Sequence, residues 1–582
     1  MTTEINVIAN CDDAVVFWIV DQPIANCFGF QLERERSLAD GSVQRLVLDN
    51  RVGFEKDNPA PGDHKPSSQW PFQRFWWADH SVNSGDRVRY RVTPMVFNGG
   101  HLVEKIDARS SWTPWTELSG DAGDHMSAFF NRGLVISQFM ARYLEKLRVD
   151  NGLATREDAL KLFKKNLDDH EQPIRKFLSG ALRDRMLELL KTAKTEKHHV
   201  YGALYELEDD ELLTALEGLK SRGHIVLANG SITPKKGEST AEARKRDQNK
   251  AGRKRLRDAG LEVINRFISP GALGHNKFLV LAKGTAAAPK PFAAWTGSTN
   301  WTKTGLCTQI NNGLLVEHTA AAKEYFAQWQ RLKAAKSEFP AALVTANSKA
   351  KKVTVGNSKM DIWFTRATQK VDLAAIDDVI NGAKEGVLFL MFQPGSAGTL
   401  GTIRKKLKSP GKMYIKGVVS TLPGDGEDEA TVSVHGETSS SVSFDVVQPE
   451  GILRPFSSWA ATVTRNEFLF GAGKIGFAIV HSKLIVVDPF TKPVVITGSH
   501  NFSTAASGKN DENFVIVRGN TALACEYGAH ILSVYQHYRW MTFVNAKQKQ
   551  GQNPKAFLDE DDKWQAGQLK GASRKELDFW VR

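Results

Sequence analysis

A chain of 582 residues is too long for one ordinary domain, and its 41% hydrophobic and 24% charged residues exclude a disordered or low-complexity protein. Its formal net charge of +12 favours polyanionic partners: nucleic acid, an anionic membrane surface or phosphate-bearing substrates.

In chain order, residues up to about 120 read as strands and turns. The run VVFWIV (15–20) is short and apolar. The run DRVRYRVTPMVF (86–97) alternates, placing Val88, Tyr90 and Val92 on one face. A small antiparallel sandwich over 1–125, resembling a fibronectin-type module, is expected. The aromatic stretch WPFQRFWWADH (70–80) is read as sandwich core rather than as a membrane or ligand platform. From about 128 the period becomes helical, as in RGLVISQFMARYLEKLR (132–148), and helices continue to about 195. Strands and helices then alternate: strand 198–207, helix 209–223, strand 224–230, helix 240–258 and strand 261–267. This is an α/β pattern. The polar stretch 345–359 reads as a linker. The pattern restarts with strand 361–367, helix 371–386, and strands 387–392 and 413–420. A hairpin-like insertion spans 421–447, and a helix at 521–538 closes this part. The expected organisation is a sandwich at 1–125, two α/β halves at 126–345 and 346–545, and a polar tail, partly disordered, at 546–582.

Four widely separated cysteines, Cys11, Cys27, Cys307 and Cys525, form no CxxC or finger-like spacing, which argues against a disulfide scaffold or a cysteine zinc site. The N-terminus shows no charged start followed by an apolar stretch, and no apolar run is long enough to span a bilayer. A soluble, cytoplasmic protein is expected, although a non-classical export route would leave no such mark.

The chemistry lies in a compound motif that occurs twice. HNKFLVLA (275–282) is followed by TGSTNWT (296–302), and HSKLIVVD (481–488) by TGSHNFS (497–503). Residues i and i+2 of a strand share a face, so His275 and Lys277 project together, as do His481 and Lys483. Each Gly-Ser turn lets the backbone approach a ligand and is followed by an amide, Asn300 or Asn501. Two imidazoles, two ammonium groups and two amides suit one phosphodiester, with one histidine attacking phosphorus and the other protonating the leaving oxygen.

These residues resemble the phospholipase D superfamily, whose signature HxK(x)4D followed by GSxN occurs twice. The second copy matches at His481, Lys483, Asp488, Gly498, Ser499 and Asn501. The first matches at His275, Lys277, Gly297, Ser298 and Asn300, but has Ala282 at the Asp position. The resemblance implies two α/β halves packed about a pseudo-twofold axis, with His275, His481, Lys277, Lys483, Asn300 and Asn501 as catalytic residues. Supporting roles fall to Asp488, Glu512, Ser298 and Ser499. It also implies hydrolysis through a phosphohistidine, with no metal or other cofactor. In the family a carboxylate after GSxN often orients the opposite histidine. Glu512 is the candidate in the second half, and Asn312 stands at that place in the first. With Glu512 and Asp488 in its own half, His481 reads as the acid and His275 as the nucleophile, unless the carboxylates cross between halves.

The segment 235–258 is dense in Lys and Arg. Its Lys254, Arg255 and Arg257 are candidate polyanion contacts, against the plainer reading of a solvated helix face. His198 and His199 lack a third ligand at useful spacing and are read as structural. The leading reading is hydrolysis of a phospholipid head-group diester, with peripheral membrane contact and no obligate protein partner. A nuclease acting on DNA or RNA and an inactive phosphate-binding scaffold are the alternatives.

Overall fold

The computed structural model describes residues 2–38, 40–59, 63–133, 138–392, 394, 398–406, 413–419, 442–447, 480–549 and 557–582. At the N-terminus, strands Glu4–Ala9, Ala14–Ile19 and Trp76–Asp79 form one antiparallel sheet. Strands Cys27–Ser37, Val43–Val47, Arg87–Asn98, His101–Glu104 and Thr116–Glu117 form a second. The two share a core that includes Val16, Trp18, Phe30, Leu32, Val88, Tyr90 and Val92. The alternation in 86–97 is the cause: Val88, Tyr90 and Val92 are fully buried while Arg87 is exposed. In the aromatic stretch, Trp70, Phe72 and Phe75 are buried and Trp76 and Trp77 half-buried, so it forms core.

The α/β part holds two large sheets. The first runs in the order Met126–Phe130, Asn312–Val316, Pro289–Gly297, Lys277–Gly284, His199–Leu204, Gly223–Ala228, Glu262–Arg266. The second runs Lys351–Val355, Ser358–Phe364, Asn513–Arg518, Val494–Gly498, Leu484–Val487, Gly386–Met391, Met413–Val419, Val442–Val447. In each sheet the last three strands are parallel, and the strand carrying the motif lysine, or following it, runs antiparallel to the first of them. Strand order and direction therefore recur. The sheets share one hydrophobic cluster that includes Phe278, Val280 and Leu315 from the first and Leu484, Val486 and Val515 from the second. Reciprocal bonds tie them: Asn312 Nδ2 donates to Thr497 Oγ1 at 2.8 Å, and Thr296 Oγ1 donates to Asn513 Oδ1. Arg266 and Asp511 add a buried ion pair across the same seam.

Three sequence expectations change. The stretch 345–359, read as a linker, contains the end of helix Ala341–Asn347 and strand Lys351–Val355, which pairs with Ser358–Phe364 across a tight turn. The alternation in KKVTV was short, but it buries Val355. The hairpin expected over 421–447 falls largely outside the described residues, and its end, Val442–Val447, is a strand parallel to Met413–Val419. The tail, expected to be polar and partly disordered, forms helices Trp564–Gln568 and Gly571–Trp580 within its described residues. Trp580 stacks on Phe17 at 5.1 Å between ring centres, and Gln565 exchanges hydrogen bonds with the backbone of Ile24. Few apolar residues in a polar segment gave no periodic signal, yet Leu577, Phe579 and Trp580 are enough to dock it.

Candidate active site

His275 and His481 face one another with ring centres 6.4 Å apart and planes inclined at 76°. Each sits just before a central strand, and each motif lysine folds back on its own histidine. Lys277 Nζ donates to His275 O at 2.9 Å, and Lys483 Nζ to His481 O at 2.5 Å. Below each pair lies an aromatic ring that sequence reasoning missed. Tyr205 meets His275 edge to face at 4.8 Å and carries Lys277 Nζ 4.9 Å above its centre. Phe392 does the same for His481 at 4.8 Å and Lys483 at 4.8 Å. Both rings directly follow equivalent strands, His199–Leu204 and Gly386–Met391, and an aromatic at that place in each repeat is the signal that could have found them.

The Gly-Ser turns are held against the neighbouring strand. A Cβ at Gly297 would lie 2.2 Å from Asn312 O, and one at Gly498 2.3 Å from Asn513 O, so only glycine fits at either place. The serines that follow orient the next partner. Ser499 Oγ donates to Glu512 Oε2 at 2.8 Å, and Ser298 Oγ to Asn311 Oδ1 at 2.7 Å.

These partners cross between the sheets. His275 Nδ1 lies 2.8 Å from Glu512 Oε2, and His481 Nδ1 lies 2.8 Å from Asn311 Oδ1. Two expectations are corrected here. The carboxylate belongs to His275, not to His481, because each Gly-Ser turn faces the opposite histidine. The first-half equivalent of Glu512 is Asn311, one residue before the expected Asn312, which instead bonds Thr497 at the seam. Asp488 lies away from the histidines, where its carboxylate accepts from the backbone N–H groups of Lys384, Glu385 and Gly386 at 2.8 Å each. It fixes the start of strand Gly386–Met391, a structural support.

His275, Lys277, Asn300, His481, Lys483 and Glu512 are all at least 97% buried. Burial holds the imidazoles of His275 and His481 well below the usual histidine range, reinforced by the ammonium groups of Lys277 and Lys483. Burial also pushes the Glu512 carboxyl up to about 7. Asn300 Nδ2 donates to Glu206 Oε2 at 2.8 Å, a contact sequence reasoning did not foresee. Asn501 is half-buried.

The candidate polyanion contacts are engaged elsewhere. Lys254 pairs with Asp258, Arg255 with Asp210 and Glu217, and Arg257 Nη2 donates to Asn265 Oδ1. Only Arg255 meets carboxylates of a neighbouring helix, a pairing that the sequence alone left open. His199 Nδ1 lies 3.1 Å from His224 Nε2, and among the described residues no group of three or more His, Cys, Asp or Glu could hold a metal ion.

A family model described as "Cardiolipin synthase, PLD-like domain" matches residues 186–333, which include the first motif copy. No curated protein matches. Among solved structures, phosphatidylserine synthase of Haemophilus influenzae Rd KW20 is 12% identical over 69% of this chain and 94% of its own, with a TM-score of 0.40. Nuc, a phospholipase D family member of Salmonella typhimurium, is 16% identical over 31% of this chain and 96% of its own, with a TM-score of 0.19. Polyphosphate kinase of Porphyromonas gingivalis is 12% identical over 57% of this chain, with a TM-score of 0.35, and the match spans only 45% of the kinase. Residues 186–333, which hold the first copy of the doubled motif, thus match a phospholipase D-like domain.

Proposed function

We propose that the chain is a phosphodiesterase of the phospholipase D type, acting on a phospholipid head-group diester. The observation that carries this reading is the reciprocal tether: each histidine is held through Nδ1 by a partner from the other sheet, 2.8 Å away in both cases, so the chemistry of both rings falls to Nε2. In this reading the two halves, 126–345 and 346–545, are related by a pseudo-twofold axis through that pair. The fibronectin-like sandwich at 1–125 and the tail at 546–582 pack beside them.

His275 is the nucleophile. Its Nδ1–H donates to Glu512, which leaves a lone pair on Nε2. Nε2 attacks phosphorus, a P–N bond forms, and the P–O bond to the leaving alcohol breaks. His481, doubly protonated once the negative charge of the diester lies between the two rings, gives its Nε2 proton to that oxygen and keeps its Nδ1–H on Asn311 Oδ1. Neutral His481 then takes a proton from water as the water oxygen attacks phosphorus, and His275 is released. Lys277, Lys483, Asn300 and Asn501 hold the non-bridging oxygens, and the two ammonium groups supply positive charge without a metal. Glu512 thus supports the nucleophile rather than the acid, so the expected assignment of the two histidines is kept for a different reason.

A lipid substrate is favoured over nucleic acid because four of the ten Lys and Arg residues in the basic segment 235–258 are already paired with carboxylates. Arg246 pairs with Glu238 and Arg253 with Asp247, in addition to the pairs above. Leu38, Val43 and Leu46, between 40% and 50% exposed around one N-terminal edge strand, are apolar groups available for peripheral contact with a lipid surface. The test is turnover by purified protein in EDTA with phosphatidyl lipid vesicles, single-stranded DNA and duplex DNA. Head-group release from vesicles is expected. Cleavage of DNA alone would make the chain a nuclease, and no turnover of any of the three would leave a phosphate-binding scaffold.

A further inference from the structure

The site contains a carboxylate for which the mechanism has no use. Glu206 is 97% buried and lies two residues beyond strand His199–Leu204, next to Tyr205 beneath His275. Its backbone is tied to the turn that carries the phosphate-binding amide: Trp301 N donates to Glu206 O at 3.2 Å. Its side chain bonds that amide directly, with Oε2 accepting from Asn300 Nδ2 at 2.8 Å and Oε1 from Gln248 Nε2 at 3.3 Å. Donors on both oxygens suit an ionised carboxylate. The residue after Phe392 in the second copy is Gln393, uncharged in sequence and outside the described residues, so the chain gives this charge to one copy only.

We propose that Glu206 sets the charge specificity of the site, admitting singly charged phosphodiesters and rejecting doubly charged phosphomonoesters through its contact with Asn300. The inference rests on the phosphodiesterase reading above. Lys277 and Lys483 supply two positive charges, and Glu512 and Glu206 two negative ones. A diester brings one further negative charge. A monoester brings close to two above its second ionisation near pH 6, and the second charge meets a buried carboxylate across a single amide. The surroundings act in the same sense. A cavity of about 390 Å³ beside Glu206 is lined by six carboxylates; Asp168, Asp209, Asp210 and Glu211 are paired with Lys303, Arg175, Arg255 and Arg183, and Glu208, bonded to Gln248, adds its charge to that of Glu206. Because hydrolysis of a diester yields a monoester, the same charge drives product out of the site.

The test is calorimetric titration of the full chain at pH 8 with dimethyl phosphate, a monoanion, and methyl phosphate, a dianion. Wild type is expected to bind dimethyl phosphate more tightly. In Glu206→Gln, which keeps an acceptor for Asn300 and removes only the charge, affinity for methyl phosphate should rise by about tenfold relative to dimethyl phosphate, the effect of one unit charge a few ångströms away. An unchanged ratio in a folded Glu206→Gln variant would overturn the proposal. So would wild type that binds methyl phosphate as tightly as dimethyl phosphate, a result that needs no variant. Wild type that binds neither would overturn the reading of the site itself, and this inference with it.

Discussion

The two large sheets repeat the same strand order, yet they equip their histidines differently. The first offers Asn311 to His481, and the second offers Glu512 to His275. The first also places Glu206 on its motif amide. Strand order is set by packing, whereas the proposed two-step reaction asks for different proton affinities at the two rings. The same pattern extends to the closing helices. Helix Thr319–Ala335 follows the last motif strand of the first sheet, and helix Thr521–Lys549 that of the second. Only the second carries a buried histidine, His530, which stacks on Phe130 of the first sheet at 4.2 Å. The two sheets are alike in strand order and unlike in the charges around their histidines.

The largest effect should come from the histidines themselves. His275→Ala should abolish turnover, because no P–N bond can form. His481→Ala should lower kcat by about 10²–10⁴-fold and retain a trace with a good leaving group, the signature of a lost general acid. Steady-state rates with alkyl and nitrophenyl diesters separate the two, and equal residual rates in both variants would erase the functional difference between the copies. Next in size are the tethers. Glu512→Gln should cost about 10²–10⁴-fold in kcat through the wrong tautomer of His275, and Asn311→Ala only about tenfold, the low end of the range for a lost orienting partner. Losses of equal size would mean that the carboxylate gives the second sheet no special role.

The remaining predictions concern stability. Trp580→Ala should destabilise by about 3–5 kcal/mol in denaturant titration, because its ring is fully buried against Phe17. A change under 1 kcal/mol would return the tail to a loose appendage. Burial holds the His530 imidazole down to about 3. Between pH 6.5 and about 3 the unfolded chain therefore binds a proton there that the native one does not, and wild type loses up to about 1.4 kcal/mol per pH unit as pH falls. His530→Gln lacks this loss, so the stability difference between the two proteins should shift in favour of the variant on acidification from pH 7 to 5. A difference independent of pH would show that the histidine is not held neutral.

Much of the frame was legible. The strand at 224–230 and the buried run at 387–392 announced themselves by apolar continuity, and the motif copies by their wording. The equivalence of Asn311 and Glu512 was also within reach: from Thr296 to Thr497 the offset is 497 − 296 = 201, and 512 − 311 gives the same 201 without a gap. What no single segment could reveal is which histidine each residue serves, since that depends on how the sheets face one another. Nor could sequence alone show that Arg255 meets Asp210 and Glu217, because the pairing is made across helices about 40 residues apart. The docking of the tail was hidden for a similar reason. Its anchors are three residues near the end, and their partners, among them Phe17, Tyr414 and Phe490, lie far away in sequence.

The central claim is that the repeat makes one site with two unlike histidines, of which His275 takes the phosphorus. Acid quench of the enzyme during turnover of a phosphorus-labelled diester, followed by peptide mapping, tests it directly. The label should be found on His275, diminished in Glu512→Gln and accumulated when His481 is replaced and a good leaving group is used. Label on His481, with none on His275, would contradict the account.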